Sequence, residues 1–338
     1  MKTLGAKMIG LLVAAFILCS AFRADKPVVT VFMIGDSTMA NKKLDGGNPE
    51  RGWGMVLPGF FSEDIRIDNH AANGRSSRSF ISEGRWEKVI SKVKKGDYVF
   101  IQFGHNDEKA DPTRHTDPGT TFDDHLRRYV NETRAKGGIP VLFNSIVRRN
   151  FVQPKDTSIS KDVRRTPGES EPPKEGTVLF DTHGAYLDSP RNVAKELRVA
   201  FIDMNKITHD LVEGLGPVES KKLFMFVEPD QVPAFPKGRE DNTHLNVYGA
   251  RVIAGLAVEA IGKAVPELAP YIRHYDYVVA QDGSGDFFTL DEALKAIPAK
   301  KKCTVLVRTG QYGPKPEIKN KLIKIMEDEG VTYGSPAI

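Results

Sequence analysis

The stretch that decides the fold is Val28–Ala40, which reads VVTVFMIGDSTMA. Its first part, Val28 to Ile34, is a short run of apolar and β-branched residues, as is typical of a strand buried on both faces of a parallel sheet. Gly35 and Asp36 end the run, and Ser37 follows at a strand-to-helix turn. Because open α/β sheets bind ligands outside the carboxyl ends of their strands, we expect the Ser37 hydroxyl to lie at the ligand-binding edge.

Similar runs recur through the first 260 residues, with helical spacing between them. Further strands are predicted over Ile65–Asn69, Tyr98–Phe103, Ile139–Asn144 and Val199–Ile202. Helices are predicted over Arg85–Lys95, Phe122–Lys136, Ala185–Arg198 and Leu245–Ala264. This alternation predicts a parallel sheet with helices on both faces, a three-layer α/β/α sandwich. Two segments, Arg148–Gly176 and Glu213–Glu240, interrupt the pattern and are interpreted as long loops.

Four polar blocks suggest a hydrolytic site. They are Gly35–Thr38, Asn69–Ser79 around Gly74, Gly104–Asp107 and Asp241–His244. Hydrolysis by a serine needs a nucleophile, a base, a carboxylate that orients the base, and donors for the oxyanion. Ser37 offers the hydroxyl, and Asp241 and His244 are close enough in the chain to reach one cleft from a single turn. Gly74 offers a backbone N–H without a side chain in the way, and Asn106 offers an amide.

These blocks, in this order, resemble those of the SGNH (GDSL-like) hydrolase superfamily. Gly35–Ala40, Asn73–Ser79 and Asp241–His244 resemble the rhamnogalacturonan acetylesterases in particular, and the resemblance covers Pro27 to Val265. It implies a flavodoxin-like parallel sheet and a serine esterase that removes acetyl groups from pectic polysaccharide. It also implies that no cofactor is needed, and the sequence has no spacing typical of a metal, phosphate or dinucleotide site.

The resemblance and the chemistry together assign the site residues. The catalytic residues are predicted to be Ser37, Asp241 and His244, and the oxyanion hole to consist of the Ser37 and Gly74 N–H groups and the Asn106 amide. Asp36 and Asp107 are interpreted as structural carboxylates that bind turn N–H groups.

Four side chains are candidates for substrate contact. Arg75 and Arg78 follow Gly74 and could meet uronate carboxylates of an acidic polymer, or they could be solvated charges. Trp53 could stack on a sugar ring, or it could be a core tryptophan. His105, next to Asn106, could line the pocket.

Two alternatives stay open at this point. The same machinery could act on another acylated glycan such as xylan, or on a lipid or thioester, although long-chain acyl substrates would need an apolar channel. In a different class, the protein could bind carbohydrate without catalysis and keep a degenerate hydrolase site. Intact Ser37, Asn106, Asp241 and His244 argue against this second alternative.

The composition is that of an ordinary soluble globular protein, with 40% hydrophobic and 27% charged residues in a chain of 338. The formal charge of +4 includes three basic residues of the first 24, and the rest of the chain has 45 basic against 44 acidic side chains. Without a basic tract, nucleic acid is not expected as a partner. We expect a monomer.

Residues 1–24 have the pattern of a secretory signal peptide. Lys2 and Lys7 precede the nearly continuous apolar run Met8–Leu18, which is too short for a stable membrane span. We therefore expect export to the periplasm or the extracellular space. Removal of this segment would leave Cys303 as the remaining cysteine, so no intramolecular disulfide is expected.

The chain changes character after Pro270. Tyr277–Phe287, followed by Thr289–Ala293, resembles the opening of a pectin methylesterase, a parallel β-helix enzyme. A single β-helix coil cannot bury its faces alone, so residues 276–338 are interpreted as a truncated, incomplete β-helix-like segment without an active site of its own. The esterase domain is placed at residues 25–275. A chain that ends near His274 is then expected to stay folded and active.

Overall fold

The computed structural model describes residues 28–153 and 176–334, and a five-stranded parallel sheet lies at its centre. The strands are β1 (Val29–Gly35), β2 (Glu50–Arg51), β3 (Ile65–Asn69), β4 (Tyr98–Gln102), β5 (Ile139–Phe143), β6 (Phe151–Val152), β7 (Val178–Leu179), β8 (Ala200–Ile202), β9 (Phe224–Val227), β10 (Arg239–Asn246), β11 (Tyr277–Val279), β12 (Cys303–Val307), β13 (Gly310–Tyr312), β14 (Ile323–Glu327) and β15 (Val331–Tyr333). The α-helices are α1 (Trp53–Val56), α2 (Ser77–Ser82), α3 (Arg85–Ile90), α4 (Thr121–Ala135), α5 (Asp188–Leu197), α6 (Met204–Glu219), α7 (Val247–Ala264) and α8 (Leu290–Ala296).

The central sheet has the order β3-β1-β4-β5-β8. The first strand therefore lies between the second and third strands of the sheet, which is the order of flavodoxin-like doubly wound sheets. All neighbouring pairs are parallel. The five predicted strands are present, each with ends within one residue of the predicted bounds. The predicted parallel α/β class is confirmed.

Both faces of this sheet are buried, which explains why its strands are apolar without alternation. Val31 and Met33 of β1 pack in the core that contains the α7 side chains. Phe32 and Ile34 point to the opposite face and pack in the core that contains the α4 and α5 side chains. The sandwich therefore has three layers.

The Asp/His block lies in a second, antiparallel sheet of order β2-β10-β9, which the sequence did not predict. The β10 register shifts between Asp241 and Leu245. Helix α7 begins at Val247, two residues later than predicted, because Asn246 accepts the Gly249 N–H as its N-cap. Asp241 is therefore not a helix cap.

Regular structure also occupies much of the predicted loop Glu213–Glu240. Helix α6 continues to Glu219, although Gly216 has a φ of +71° immediately before Pro217. Strand β9 then pairs with β10. The prolines that suggested a loop lie beyond β9, so the loop is shorter than predicted.

The predicted loop Arg148–Gly176 begins inside the protein rather than on its surface. Arg148, Arg149 and Asn150 are buried, and β6 pairs with β7 across the loop. Residues 154–175 lie outside the described residues, as does the predicted signal peptide. Within the described ranges, none of the helices combines the length and the apolar character needed to cross a bilayer.

The C-terminal segment buries a core of its own, contrary to the expectation that it has too few coils to do so, because it stacks three parallel strands rather than forming a single coil. Strands β11, β12 and β14 form a parallel sheet, and β13 and β15 form a second parallel pair. Val279, Leu290, Val305 and Val307 are buried together in this core. Two stacks of parallel strands agree with the predicted β-helix-like character.

This segment is also joined to the α/β sandwich by partly or fully buried polar contacts. The Arg251 guanidinium of α7 lies 3.5 Å from Asp286 and donates to the Tyr275 carbonyl at 3.1 Å. Arg51 Nε donates to the Gly283 carbonyl at 2.9 Å. The segment therefore supplies acceptors to two cationic side chains that the sandwich buries, although Arg251 Nη1 has no hydrogen-bond partner among the described residues.

Truncation after His274 is expected to lower the thermal midpoint, contrary to the expectation from sequence. It would remove Asp286 from Arg251 and expose to solvent the sandwich residues that the segment covers, among them Leu44 and Gly59, at a cost of about 3 kcal/mol. Since about 1 kcal/mol moves the midpoint of a large domain by about 2–4 °C, we expect a fall of about 6–12 °C, measured by differential scanning calorimetry. Asp286→Asn, which keeps the segment, should give an intermediate value. An unchanged midpoint after truncation would mean that the segment is attached loosely.

Candidate active site

Ser37 lies in a tight turn directly after β1. The Asp36 carbonyl accepts the N–H groups of Met39 and Ala40 at 3.3 and 3.1 Å, and no helix follows this turn directly. Asp36 Oδ1 accepts the N–H and the hydroxyl of Thr38 at 2.9 and 2.8 Å. These bonds agree with the structural role predicted for Asp36 and place Ser37 at the carboxyl edge of the central sheet.

Trp53 supports this turn from inside the core. It is fully buried, and its indole N–H donates to Gln102 Oε1 at 2.8 Å. Gln102 Nε2 in turn donates to the Thr38 hydroxyl at 3.0 Å. The prediction that Trp53 stacks on a sugar is wrong because neither ring face is open, and the alternative of a core tryptophan is correct.

His244 lies between Ser37 and Asp241. Its Nε2 is 2.9 Å from Ser37 Oγ, and its Nδ1 is 2.8 Å from Asp241 Oδ2. Asp241 Oδ1 accepts the N–H groups of Thr243 and His244 at 2.8 and 2.9 Å, so the main chain fixes this carboxylate. Both His244 distances are within the reach that proton transfer and orientation of a base require.

Two further charged residues adjoin this set. Burial alone would raise the pKa of Asp241, but hydrogen bonds from His244 and the charges of His244 and Arg239 outweigh burial and hold this pKa far below its ordinary value. Arg239 donates to Asp241 at 2.6 Å and also pairs with Glu50. The sequence analysis missed both. Arg239 stands two residues before Asp241 and could have been noticed, whereas nothing near Glu50 in the chain points to the site.

Gly74 and Asn106 line the same pocket as Ser37. Gly74 has a φ of +76°, in the left-handed region that favours glycine, and a Cβ there would have no neighbour within 4 Å. The positive φ, rather than a close approach of other atoms, therefore explains why glycine occupies position 74. Asn106 Nδ2 donates to the Arg75 carbonyl at 3.1 Å. Since an amide nitrogen carries two hydrogens, one remains to donate to a ligand.

The pocket has a volume of about 260 Å³, and its described lining is polar, charged or glycine. The other lining residues are Glu50, Asn73, His105, Lys109, Arg148, Arg239, Thr243 and His244. The four predicted blocks therefore meet at one site, although Ser37 and His244 are 207 residues apart in the chain. A pocket of this size and polarity suits a small acyl group on a polar molecule better than a long acyl chain.

A comparison with known protein families agrees with this geometry. Residues 33–252 match the GDSL-like lipase/acylhydrolase family, and this range is more than half of the chain. The chain belongs to this family. It is therefore a carboxylic ester hydrolase, as predicted.

Similar proteins within the GDSL-like family include characterised and solved examples. Rhamnogalacturonan acetylesterase RhgT of Bacillus subtilis (strain 168) is 36% identical over 258 residues, which cover 76% of this chain and 97% of RhgT. The crystal structure of the Bacillus subtilis protein YxiM gives a TM-score of 0.52 at 25% identity, covering 71% of this chain and 58% of that chain. Both agree with the predicted SGNH-type fold.

The C-terminal segment has a separate, short match. Over 39 residues the chain is 64% identical to a pectinesterase/pectinesterase inhibitor of Ficus pumila var. awkeotsang. The match covers 11% of this chain and 7% of that protein. It agrees with the resemblance of this segment to a pectin methylesterase and is only partial.

The structure places the two arginines predicted to contact substrate outside the pocket of this GDSL-like enzyme. Arg75 pairs with Glu83 at 3.0 Å and donates to the Asn73 carbonyl at 2.8 Å. Arg78 donates to the Pro112 carbonyl at 3.1 Å. These contacts favour the alternative that the two arginines are surface charges held by local partners.

His105 lines the pocket, as predicted. It also contacts a buried cluster of charged side chains, which consists of Glu108, Arg148 and His183. Its ring meets His183 edge-on, with centroids 4.5 Å apart. His183 Nδ1 is 3.0 Å from Glu108, and its Nε2 is 3.1 Å from the Ile146 carbonyl. Burial, followed by the charges of His183 and Arg148, lowers the pKa of His105 well below its ordinary value. His105 therefore presents a neutral ring to the pocket.

Among the described residues, His105, Glu108 and His183 bring potential metal-ligand atoms within 4.8 Å of one another. Both His183 nitrogens already face oxygen acceptors, and Arg148 pairs with Glu108. The cluster is therefore engaged as an ion network, and the absence of a metal from the reaction stays a prediction.

Asp107 joins the Asn106 block to the helix that follows Gly74. Its carboxylate accepts the Ser77 N–H at 3.0 Å and the Thr116 hydroxyl at 2.9 Å. Burial raises the pKa of Asp107 to about 7, although these hydrogen bonds oppose the rise. The structural role predicted for Asp107 agrees with these contacts.

The free energy of unfolding is expected to fall through Asp107 as the pH rises from about 4 to 7. The folded pKa of about 7 exceeds the ordinary aspartate value of about 4, so the folded state binds the proton more tightly. This contribution is complete below about pH 4 and is lost as the pH rises through about 7. Between pH 4 and pH 8, urea unfolding should show a fall smaller by about 4 kcal/mol in Asp107→Asn, which stays neutral, since three pKa units correspond to about that free energy. Identical pH dependence in the two proteins would refute this assignment.

Proposed function

We propose that this GDSL-like enzyme is a serine esterase that removes acetyl groups from a pectic polysaccharide, rhamnogalacturonan. The observation that carries the proposal is the position of His244, 2.9 Å from Ser37 Oγ and 2.8 Å from Asp241 Oδ2, beside an open polar pocket. The similarity to RhgT over nearly the whole length of that acetylesterase supports the substrate.

In the proposed reaction, Ser37 Oγ attacks the acetyl carbonyl carbon while its proton passes to His244 Nε2. The charge that develops on the carbonyl oxygen is held by the N–H groups of Ser37 and Gly74 and by the Asn106 amide. The bond to the sugar oxygen then breaks, and the sugar hydroxyl leaves with the proton from His244. Water, deprotonated by His244, attacks acetyl-Ser37, releases acetate and restores the hydroxyl.

Asp241 keeps His244 in the tautomer that this sequence of steps needs. Its ionised carboxylate accepts the Nδ1–H, so Nε2 has its lone pair directed at Ser37. When His244 becomes an imidazolium, the same carboxylate stabilises its charge. The downward shift of the Asp241 pKa supports an anion at this position.

The residues that line the pocket are consistent with a substrate that carries a small acyl group on an acidic glycan. Lys109, Arg148 and Arg239 place cationic groups around the opening, and such groups raise the local concentration of anionic substrates. Glu50 and Asp241 pair with Arg239, and Glu108 pairs with Arg148, so these carboxylates neutralise part of this charge. The proposal that the substrate is pectin rather than neutral xylan therefore rests on the similarity to RhgT together with these cations.

Acetate release from a panel of acetylated polymers tests the substrate. We expect kcat/KM on acetylated rhamnogalacturonan to exceed that on acetylated homogalacturonan and on acetylxylan by about tenfold or more, since about 1.4 kcal/mol of differential binding suffices. Deacetylated rhamnogalacturonan serves as the blank. A preference for acetylxylan would favour the alternative of another glycan, and no release from any polymer would favour a non-catalytic binding protein.

We also propose that the enzyme is exported through residues 1–24 and acts as a monomer in the periplasm or outside the cell, where pectic polymers occur. The composition of that segment supports export. Fractionation of expressing cells and size-exclusion chromatography would test the two statements.

A further inference from the structure

A chain of alternating charges leads from Asp241 to the loop that contributes the oxyanion glycine. Arg239 donates to Asp241 at 2.6 Å and pairs with Glu50 Oε2 at 2.5 Å. Glu50 Oε1 lies 2.6 Å from Lys42 Nζ, which donates to Asn73 Oδ1 at 2.7 Å. The side chains of Lys42 and Glu50 are only 3% and 9% exposed. Buried ion pairs rarely add net stability, so this chain invites a functional explanation.

The position of Arg239 creates an electrostatic conflict with the proposed base. Its Nη2 lies 3.4 Å from His244 Nδ1, and a cation at this distance disfavours the imidazolium that must form during catalysis. Glu50 lies on the other side of Arg239 and supplies a negative charge that balances it. Burial alone would raise the pKa of Glu50, but the charges of Lys42, His244 and Arg239 outweigh burial and lower this pKa.

We propose that Glu50 is a positioning residue that acts on His244 through Arg239 as a second carboxylate. It offsets the Arg239 cation and thereby stabilises protonated His244 in the transition state. Lys42 balances Glu50 and fixes Asn73 beside the oxyanion glycine. The inference rests on the catalytic roles proposed above.

Other charged groups around this chain stay the same in the variants used to test it. Apart from Lys42, which is itself varied, those that face His244, Glu50 or the pocket they share are Asp36, His105, Lys109, Arg148, Arg239 and Asp241. Differences between variants at one position therefore report the charge at that position.

The test is the pH dependence of kcat/KM for 4-nitrophenyl acetate. In Glu50→Gln we expect the plateau to fall about tenfold, because the imidazolium loses stabilisation, and the midpoint of the acid limb to move down by about one pH unit. In Lys42→Met the site loses a cation, so the midpoint of the acid limb should move to higher pH. The double variant keeps the net charge of the site, and its midpoint should return toward that of the wild type.

A merely structural role for Glu50 predicts lost activity without these opposite shifts, and that result would overturn the inference. If Glu50→Gln does not fold, Lys42→Met and the double variant still provide the comparison. Glu132→Gln removes a carboxylate that pairs with Arg128 away from the site, and its profile should match the wild type. Reaction of the wild type with a serine-directed phosphonate separates the two proposals. An unlabelled Ser37 overturns the proposed function, whereas labelled Ser37 with unshifted profiles overturns the role of Glu50 alone.

Discussion

Replacement of Ser37 by alanine is expected to lower kcat for acetate release by about ten-thousandfold or more, because no other group can form the acetyl-enzyme. The thermal midpoint should change by only a few degrees, since one hydrogen bond of about 1 kcal/mol is lost. Initial rates and calorimetry on the same purified preparations measure both quantities.

Ser82→Ala is the matched control, because this hydroxyl bonds only the Ser79 carbonyl among the contacts described and lies outside the pocket. It should leave kcat unchanged. If Ser37→Ala retained more than a few per cent of wild-type turnover, another residue would have to be the nucleophile.

Asp241→Asn is expected to lower kcat by about a thousandfold or more with little change in KM. An asparagine amide oriented toward His244 would face the N–H donors of His244 and Arg239 on one side, and the reversed amide would face the N–H groups of Thr243 and His244 on the other. The first orientation favours the wrong tautomer of His244, and the second sets the amide donor against the two main-chain donors that fix this side chain. The loss should be smaller than that of His244→Ala. Steady-state kinetics at several pH values measures it.

Asp111→Asn is a close structural control for this substitution. Asp111 also accepts a backbone N–H two residues ahead and binds an arginine, but it lies outside the pocket. Its kinetic constants should stay at wild-type values. Equal activity of Asp241→Asn and the wild type would reduce Asp241 to a residue that only shapes β10.

Much of the fold could be predicted because its signals are local. The run before Ser37 is apolar at every position that β1 buries between two layers, and the same holds for β5 and for β4 up to its last residue, the buried Gln102. Helix ends were less predictable. The helix expected over Ala185–Arg198 begins as a 3-10 turn and becomes α5 only at Asp188. Pro190 has no N–H to continue the earlier turn, so a single α-helix cannot span both parts.

The candidate site could be predicted in its chemistry but not in its geometry. Residue types alone indicated a nucleophile, a base and a carboxylate, and the structure brings Ser37, His244 and Asp241 within hydrogen-bond distance. The placement of Asp241 and His244 on a β10 irregularity could not be foreseen, because it depends on how β10 pairs with β9 and with β2, and β2 is distant in the chain.

The remaining features depend on long-range contacts that leave no local trace. Glu50 and Arg239 are 189 residues apart, and their ion pair depends on the position of β2 beside the irregular strand β10, where Glu50 pairs with Asn246. Trp53 has glycines on both sides, as an exposed aromatic loop would, yet a Cβ on Gly52 would lie 2.4 Å from the Ala40 carbonyl in a tightly packed interior. Similarly, the sequence of the C-terminal segment does not reveal that Asp286 meets Arg251.

The most direct test of the account is to map the adduct formed by a serine-directed fluorophosphonate. Mass spectrometry of the digested protein should find the adduct on Ser37, with stoichiometry approaching one and a parallel loss of acetate release. His244→Ala should slow labelling by about a hundredfold or more, since the hydroxyl loses its base. Labelling at another serine with loss of activity, or full activity of a protein labelled on Ser37, would contradict the account.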